Sequence, residues 1–133
     1  MYYIKFIMKN NFFKFVKYLY YFSLITLFAI YLFPGSLIGY LFYGDLGQQP
    51  NLINNPIGTS INHFIFFSYL SILASICNIK TIKFLTSFYF ILEISIILEI
   101  SHYIIPNRAF EIYDLIANMS GVILIFLLRK IIK

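Results

Sequence analysis

The sequence has few charged residues. Only 11% of its 133 residues are Asp, Glu, Lys or Arg, whereas 61% are hydrophobic. A water-soluble domain carries about 25% charged residues. Too little polar surface is left to cover a globule in water, so the composition predicts an integral membrane protein. The length suits a single domain over residues 1–133.

Other absences narrow the chemistry. The single cysteine, Cys77, excludes an internal disulfide and a paired-cysteine metal site. The sequence has no Gly-rich phosphate loop, no HExxH and no nucleophile elbow. His63, His102 and a carboxylate are ligand types for a metal ion, but no single helix offers three close ligands. We therefore predict no metal and no other cofactor.

Four apolar segments approach the length of about 20 residues that a membrane-spanning helix needs. They cover residues 16–33, 61–79, 84–105 and 112–128. The segment 35–44 is apolar but too short to cross, and it follows a Pro-Gly break, so we predict that it lies in the interface or re-enters the membrane. Residues 45–60 form a polar loop. The predicted fold is an all-α, integral membrane four-helix bundle.

The basic residues set the predicted orientation. With four spans, nine of the ten fall on one side: Lys5, Lys9, Lys14, Lys17, Lys80, Lys83, Arg129, Lys130 and Lys133. The positive-inside rule makes that side cytoplasmic and places both termini there, leaving Arg108 outside. This distribution is typical of membrane topology, and it argues against nucleic acid as the partner despite the net charge of +5. The partner it predicts is the lipid bilayer.

Polar residues gather near the predicted outer face. Two spans carry polar stripes at the spacing i, i+4, i+7, which places residues on one helix face: Ser95, Glu99 and His102, then Asp114, Asn118 and Gly121. His63 lies near the outer start of the second span, and Arg108 lies in the turn between the third and fourth. Glu93 faces another direction, about 240° from Glu99, which favours a role between helices.

These residues predict one polar pocket. Because an ionised carboxylate in hydrocarbon is costly, we expect Glu99 and Asp114 to pair with the Arg108 guanidinium. The candidates for acid–base roles are His63, Glu99, His102 and Asp114. Arg108 and Asn118 are the candidate ligand-binding residues, and Pro106 and Gly121 are expected to be structural. The alternative interpretation is that the same groups only hold the helices together.

The motifs resemble those of the VanZ-like family of small bacterial membrane proteins, over residues 60–128. The resemblance rests on "NHFIFFSYL", Glu99, Pro106-Asn107-Arg108, Asp114 and Asn118-Met119-Ser120-Gly121. His102 stands where the family usually has Gln. Residues 59–62 replace charges that often precede the family's His-Phe pair.

The resemblance implies a multi-pass protein of the bacterial inner membrane that is connected with the cell envelope and with glycopeptide (teicoplanin) resistance. It does not supply a reaction, and whether the protein is an enzyme stays open. The first hypothesis is binding or processing of an anionic envelope lipid or lipid-linked glycan at the outer pocket. The second is a non-enzymatic accessory protein. The third is an oligomeric exporter, for which Glu93 near mid-membrane is the only feature.

Overall fold

The computed structural model describes residues 2–49, 58, 60–77 and 84–132. Within these ranges it contains five helices and no strand: α1 Tyr2–Leu32, α2 Leu37–Tyr43, α3 Ser60–Cys77, α4 Phe88–Ser101 and α5 Ile112–Ile132. The all-α prediction is confirmed for this part of the chain. Most of the polar loop 45–60, together with Lys80 and Lys83, lies outside the described residues.

Among the described residues, three helices are long and apolar enough to cross a membrane. They are Asn11–Leu32 within α1, Ser60–Cys77 and Ile112–Ile132. They correspond to the first, second and fourth predicted spans. The first helix begins at Tyr2, well before the predicted residues 16–33, and ends at Leu32.

The predicted third span, residues 84–105, is helical over only fourteen residues in α4. The Ser87 side chain accepts a hydrogen bond from the Phe90 N–H at 3.1 Å and thereby caps the first turn. After Ser101 the chain tightens into turns before Pro106, which lacks the N–H that a continuing helix needs. At 1.5 Å per residue α4 itself is about 21 Å long, shorter than a hydrocarbon core of about 30 Å.

The apolar segment 35–44 forms the short helix α2 and folds back on the residues that follow it. Ser36 caps α2 through its side chain, which accepts from the Gly39 N–H at 2.9 Å. The Ser36 N–H donates to the Leu46 carbonyl at 2.7 Å. A Cβ on Gly39 would overlap the Gln48 carbonyl, so only glycine allows the two backbones to approach this closely.

The bundle has one apolar core with contributions from four helices. Its largest fully buried side chains are Tyr20, Leu27, Phe67, Leu70, Leu98 and Val122. Helix α5 packs closely on α3 at Gly121, where an added Cβ would lie 2.6 Å from the Phe64 carbonyl oxygen. A small residue at this position lets the two helices approach, as at many contacts between membrane helices. This contact sets the depth at which the polar residues of α3 and α5 meet.

Candidate functional site

A buried polar cluster lies at the end of the bundle where α1 and α4 end and where α3 and α5 begin. Its members are Tyr31 of α1, Ser60 and His63 of α3, Ser95 and Glu99 of α4 with His102 at its C-cap, and Asp114 and Asn118 of α5. We call this set the polar cluster. Glu99 and Asn118 are completely buried, and Asp114 is 5% exposed. Four helices therefore place polar groups at one depth.

His63 lies between the two carboxylates. Its Nδ1 is 2.6 Å from the Tyr31 hydroxyl and 3.8 Å from Glu99 Oε2, and its Nε2 is 3.4 Å from Asp114 Oδ2. The Tyr31 hydroxyl donates to Asn118 Oδ1 at 2.9 Å, which leaves its oxygen to accept from His63 Nδ1–H. The Nε2 side of the ring then faces Asp114.

The amide of Asn118 joins α5 to α1 and α4. Its Nδ2 donates to Glu99 Oε2 at 3.3 Å and to the Ser95 carbonyl at 3.5 Å, while Oδ1 accepts from Tyr31. Donor and acceptor thus each face matching groups, and this fixes which way the amide points. A leucine or an aspartate could not form the same set of bonds.

Both carboxylates accept hydrogen bonds within the bundle. Glu99 Oε1 accepts from His102 Nδ1 at 3.2 Å and from the Glu111 backbone N–H at 3.4 Å. Asp114 Oδ1 accepts from the Ser60 hydroxyl at 2.5 Å. Because buried polar groups need partners, these bonds satisfy carboxylate oxygens inside the bundle.

Arg108 does not form the predicted ion pairs with Glu99 and Asp114. Its Nη2 donates to the Ile30 carbonyl at 2.6 Å and its Nε to the Phe33 carbonyl at 3.4 Å. Among the described residues, only the rings of His63 and His102 lie within salt-bridge distance of the two carboxylates. The prediction of an arginine held by two carboxylates is therefore wrong, and His63 occupies the position between them instead.

The turn before Arg108 explains its direction. Asn107 has a left-handed backbone, with φ 57°, and this turns the chain towards the end of α1. The last carbonyls of a helix have no partner within it, and they attract cations. Burial lowers the pKa of Arg108, and the nearby Tyr31 and Glu99 oppose that effect. A guanidinium keeps its proton in proteins, so Arg108 supplies a fixed positive charge beside the polar cluster.

A cavity opens beside the polar cluster and contains about 640 Å³ of empty space, including its open mouth. Its walls are Leu27, Ile30, Tyr31, Ser36, Ile38, Gln49, Asn62, His63, Phe66 and Arg108. The aliphatic and phenylalanine side chains give it an apolar surface, and Arg108 and His63 add polar groups. His63 has 11% of its side chain exposed, so the cluster is accessible from the cavity through this residue.

Five predicted site residues meet in the polar cluster: His63, Glu99, His102, Asp114 and Asn118. Arg108 lies in the cavity wall. Pro106 belongs to the turn before it, and Gly121 lies against α3. Glu93 is exposed on α4, and Glu111 contacts the cluster through its backbone: its N–H donates to Glu99 and its carbonyl accepts from the Asp114 N–H.

The sequence interpretation missed Tyr31 and Ser60. Tyr31 bonds to His63 and Asn118, and its ring stacks on His102 with centroids 5.4 Å apart. It resembled the other tyrosines at span ends, which usually lie at the membrane interface. Ser60 stands immediately before the predicted second span, and its position one turn from His63 was the available signal.

His63, Glu99 and Asp114 are also the described residues whose geometry suits a metal ion. One ligand atom from each lies within 4.8 Å of the other two. Chemically, the cluster thus offers an imidazole between two carboxylates, which suits acid–base work or cation binding, and an arginine nearby that suits an anion.

The chain matches the family model described as VanZ/LLP1 over residues 2–133, and it belongs to that family. The match confirms the resemblance and extends it from residues 60–128 to almost the whole chain. Neither a curated protein nor a solved structure matches the chain. The family is membrane-associated, and together with three apolar helices of spanning length it makes this a membrane protein.

Proposed function

We propose that this VanZ-like protein binds the anionic head group of an envelope lipid or lipid-linked glycan in the cavity beside the polar cluster. One observation carries the proposal: an apolar cavity in a membrane protein ends at Arg108 and His63. An amphiphile suits such a cavity, because its head group matches the polar groups and its first methylenes match Ile30, Ile38 and Phe66.

Arg108 is pre-organised to hold an anion. A guanidinium has five N–H donors, and the two carbonyls at the end of α1 occupy two of its nitrogens. The bonds hold the planar group in place and leave donors for the oxygens of a phosphate or carboxylate. Pre-organisation lowers the entropy cost of binding, so a fixed arginine favours an anionic ligand more than a free side chain does.

The proposal places the cavity on the outer side of the bacterial inner membrane, in a four-span protein with cytoplasmic termini. Hydrogen-bonded turns continue α4 from His102 to Ile105. Residues 88–105 then supply about 27 Å at the helical rise, close to the thickness of the hydrocarbon core. In a Cys77→Ser background, a membrane-impermeant thiol reagent should label Ala109→Cys in intact cells and leave Lys130→Cys unlabelled. The reverse pattern would contradict the orientation.

In a cluster without a bound ion, processing of the bound lipid would fall to His63. Its position between Glu99 and Asp114 suits proton transfer, and its exposure to the cavity brings it next to a bound head group. His102 would act through Glu99, because its Nδ1 contacts that carboxylate. A contribution to glycopeptide resistance would follow if the bound lipid were part of the cell-wall machinery, and it rests on the family name alone.

An accessory protein with a structural cluster is the second candidate. It is favoured by the bonds within the cluster, where Tyr31, Asn118 and Ser60 satisfy one another and the carboxylates. Asp114→Asn separates the two functions. A site residue should lose ligand binding at a normal protein level, whereas a structural residue should lose protein.

The test is native mass spectrometry of the purified full-length chain with an equimolar mixture of phosphatidylglycerol and phosphatidylcholine. Wild type should retain the anionic lipid, and Arg108→Gln should lose that preference. Arg129→Gln is the matched control, because Arg129 lies at the other end of α5 and lines a different cavity. Equal retention of the two lipids by wild type, or an unchanged preference in Arg108→Gln, would refute head-group binding at this cavity.

A further inference from the structure

We infer that His63, Glu99 and Asp114 form a binding site for a divalent transition-metal ion, which holds the head group together with Arg108. Only the role of the ion in holding the head group rests on the proposed function. The ion site itself follows from the geometry of the polar cluster, whereas the sequence predicted no metal.

The three residues supply suitable ligands. One ligand atom from each lies within 4.8 Å of the others. Ligands at about 2.1 Å around a tetrahedral ion are about 3.4 Å apart, so the distances between the ligand atoms need to shorten by about 1.4 Å at most. His63 Nε2 and Asp114 Oδ2 are already 3.4 Å apart. One imidazole and two carboxylates suit Zn²⁺ or Mn²⁺ better than Ca²⁺, which prefers oxygen ligands throughout.

Each of these ligands is held from behind by another residue. Tyr31 accepts from His63 Nδ1, Ser60 donates to Asp114 Oδ1, and His102 donates to Glu99 Oε1. Metal sites commonly use such outer partners to fix the imidazole tautomer and to orient the carboxylates. A cluster that served only to join helices would not need a separate support for each of the three groups.

The charge balance also favours a cation. Glu99 is completely buried and Asp114 is 5% exposed, yet Arg108 donates to the carbonyls of α1 and not to these carboxylates. Charges buried in a low-dielectric interior need a counter-charge close by. A divalent ion between the two carboxylates would supply it where the arginine does not.

His102 provides an independent indication of a bound group. It is 4% exposed, and its Nε2 is buried without a hydrogen-bond partner among the described residues. Because Nδ1 donates to Glu99, Nε2 is left as an acceptor. Buried acceptors rarely stay unpaired, so the polar cluster has capacity for a further donor such as a water molecule.

Three protein ligands leave at least one position on the ion open, as in metal sites that bind a substrate or water. His63 and Arg108 both line the cavity, so the open position and the guanidinium would face the same space. A phosphate or carboxylate group would then contact the ion with one oxygen and Arg108 with another. This arrangement also resolves how an anion can approach two buried carboxylates without strong repulsion.

The experiment measures metal binding directly on the full-length protein in detergent, after removal of any affinity tag and treatment with EDTA. Zn²⁺ or Mn²⁺ is then added, excess ion is removed, and bound metal is measured by inductively coupled plasma mass spectrometry. We expect one ion per chain and a higher unfolding temperature. Glu99→Gln and Asp114→Asn should each weaken binding at least tenfold.

Matched controls separate this site from adventitious binding and from the proposed function. Glu93→Gln removes an exposed carboxylate on the same helix as Glu99 and should keep the ion. Arg108→Gln should also keep the ion while losing the anionic lipid. If wild type prefers anionic lipid yet binds no stoichiometric metal, only the metal inference is overturned.

A direct observation on wild type guards against variants that fail to fold. Electron paramagnetic resonance of bound Mn²⁺ should show coupling to one ¹⁴N, the signature of a single imidazole ligand. Bound ion without nitrogen coupling would contradict the site, as would equal affinity in wild type, Glu99→Gln and Asp114→Asn.

Discussion

The two halves of the bundle are built from different interactions. Towards the opposite end, where α3 ends and α4 begins, the described core is mainly Phe67, Leu70 and Ile91. Its polar side chains form isolated hydrogen bonds, such as that from the Tyr20 hydroxyl to the Leu85 carbonyl. At the Arg108 end, side chains from four helices are linked in the polar cluster. The described residues of the opposite half therefore pack without an ionic network.

This difference bears on function. Apolar packing is sufficient to join helices in a bilayer, and hydrogen bonds between membrane helices contribute only about 0.6 kcal/mol on average. The free energy needed to bury two carboxylates exceeds the small gain from such bonds. Their concentration at one end, next to a cavity and a fixed arginine, is therefore better explained by a ligand than by helix association.

The largest effect is expected from His63→Leu, which removes the imidazole from between Glu99 and Asp114. Without the imidazole, Tyr31, Glu99 and Asp114 each lose a buried partner, at a cost of about 1–3 kcal/mol for each group. The measurement is unfolding of the purified protein in mixed micelles. His102→Gln is the control, because glutamine keeps a donor for Glu99 and should cost far less. A His63→Leu protein as stable as wild type would mean that the imidazole does not bridge the carboxylates.

Gly121→Leu tests the contact that sets the relative depth of α3 and α5. Even the first carbon of a side chain would lie 2.6 Å from the Phe64 carbonyl oxygen, and backbone atoms cannot rotate away. We expect a loss of about 3 kcal/mol, at the upper end of overpacking, and less folded protein on size-exclusion chromatography. Gly47→Ala is the control, since its nearest neighbour is the Asp45 side chain at 3.4 Å. Equal stability of both variants would show that α3 and α5 do not pack closely at Gly121.

Tyr31→Phe and Tyr20→Phe form a matched pair across the two halves. Each deletes one buried hydroxyl, which leaves a former partner unsatisfied at a cost of about 1–3 kcal/mol. Both should therefore unfold at lower temperature. Only Tyr31→Phe should also weaken lipid binding, because its hydroxyl positions His63 and Asn118. If Tyr20→Phe weakened lipid binding as much, the two halves would not be functionally distinct.

Helical spacing correctly predicted which face of α4 is polar and buried, but not which groups Arg108 contacts. Ser95, Glu99 and His102 are all buried, as their i, i+4, i+7 spacing suggested, because periodicity depends only on the geometry of one helix. The direction of Arg108 depends on the left-handed Asn107 and on the free carbonyls of α1. The first is a property of a turn, and the second depends on packing against a segment 75 residues or more away in sequence. The periodicity of a single helix carries no information about either.

The contribution of α1 was the least accessible from the sequence. Tyr31 lies 87 residues from Asn118, to which it donates, and a tyrosine near a span end has a common interfacial explanation. The length of α4 was overestimated for a related reason. Apolar residues continue beyond Ser101, but the chain leaves the helix before Pro106, and hydropathy does not register that change.

The most direct test of head-group recognition by Arg108 is the dissociation constant of a short-chain phosphatidylglycerol, compared with that of the matching phosphatidylcholine. Arg108→Lys keeps the positive charge but loses the planar guanidinium. A lysine therefore cannot hold the Ile30 and Phe33 carbonyls and a ligand at the same time. We predict that affinity for the anionic lipid falls about tenfold, equal to about 1.4 kcal/mol, while affinity for the zwitterionic lipid is unchanged. An anionic preference that survives both in Arg108→Lys and in Arg108→Gln would contradict the account.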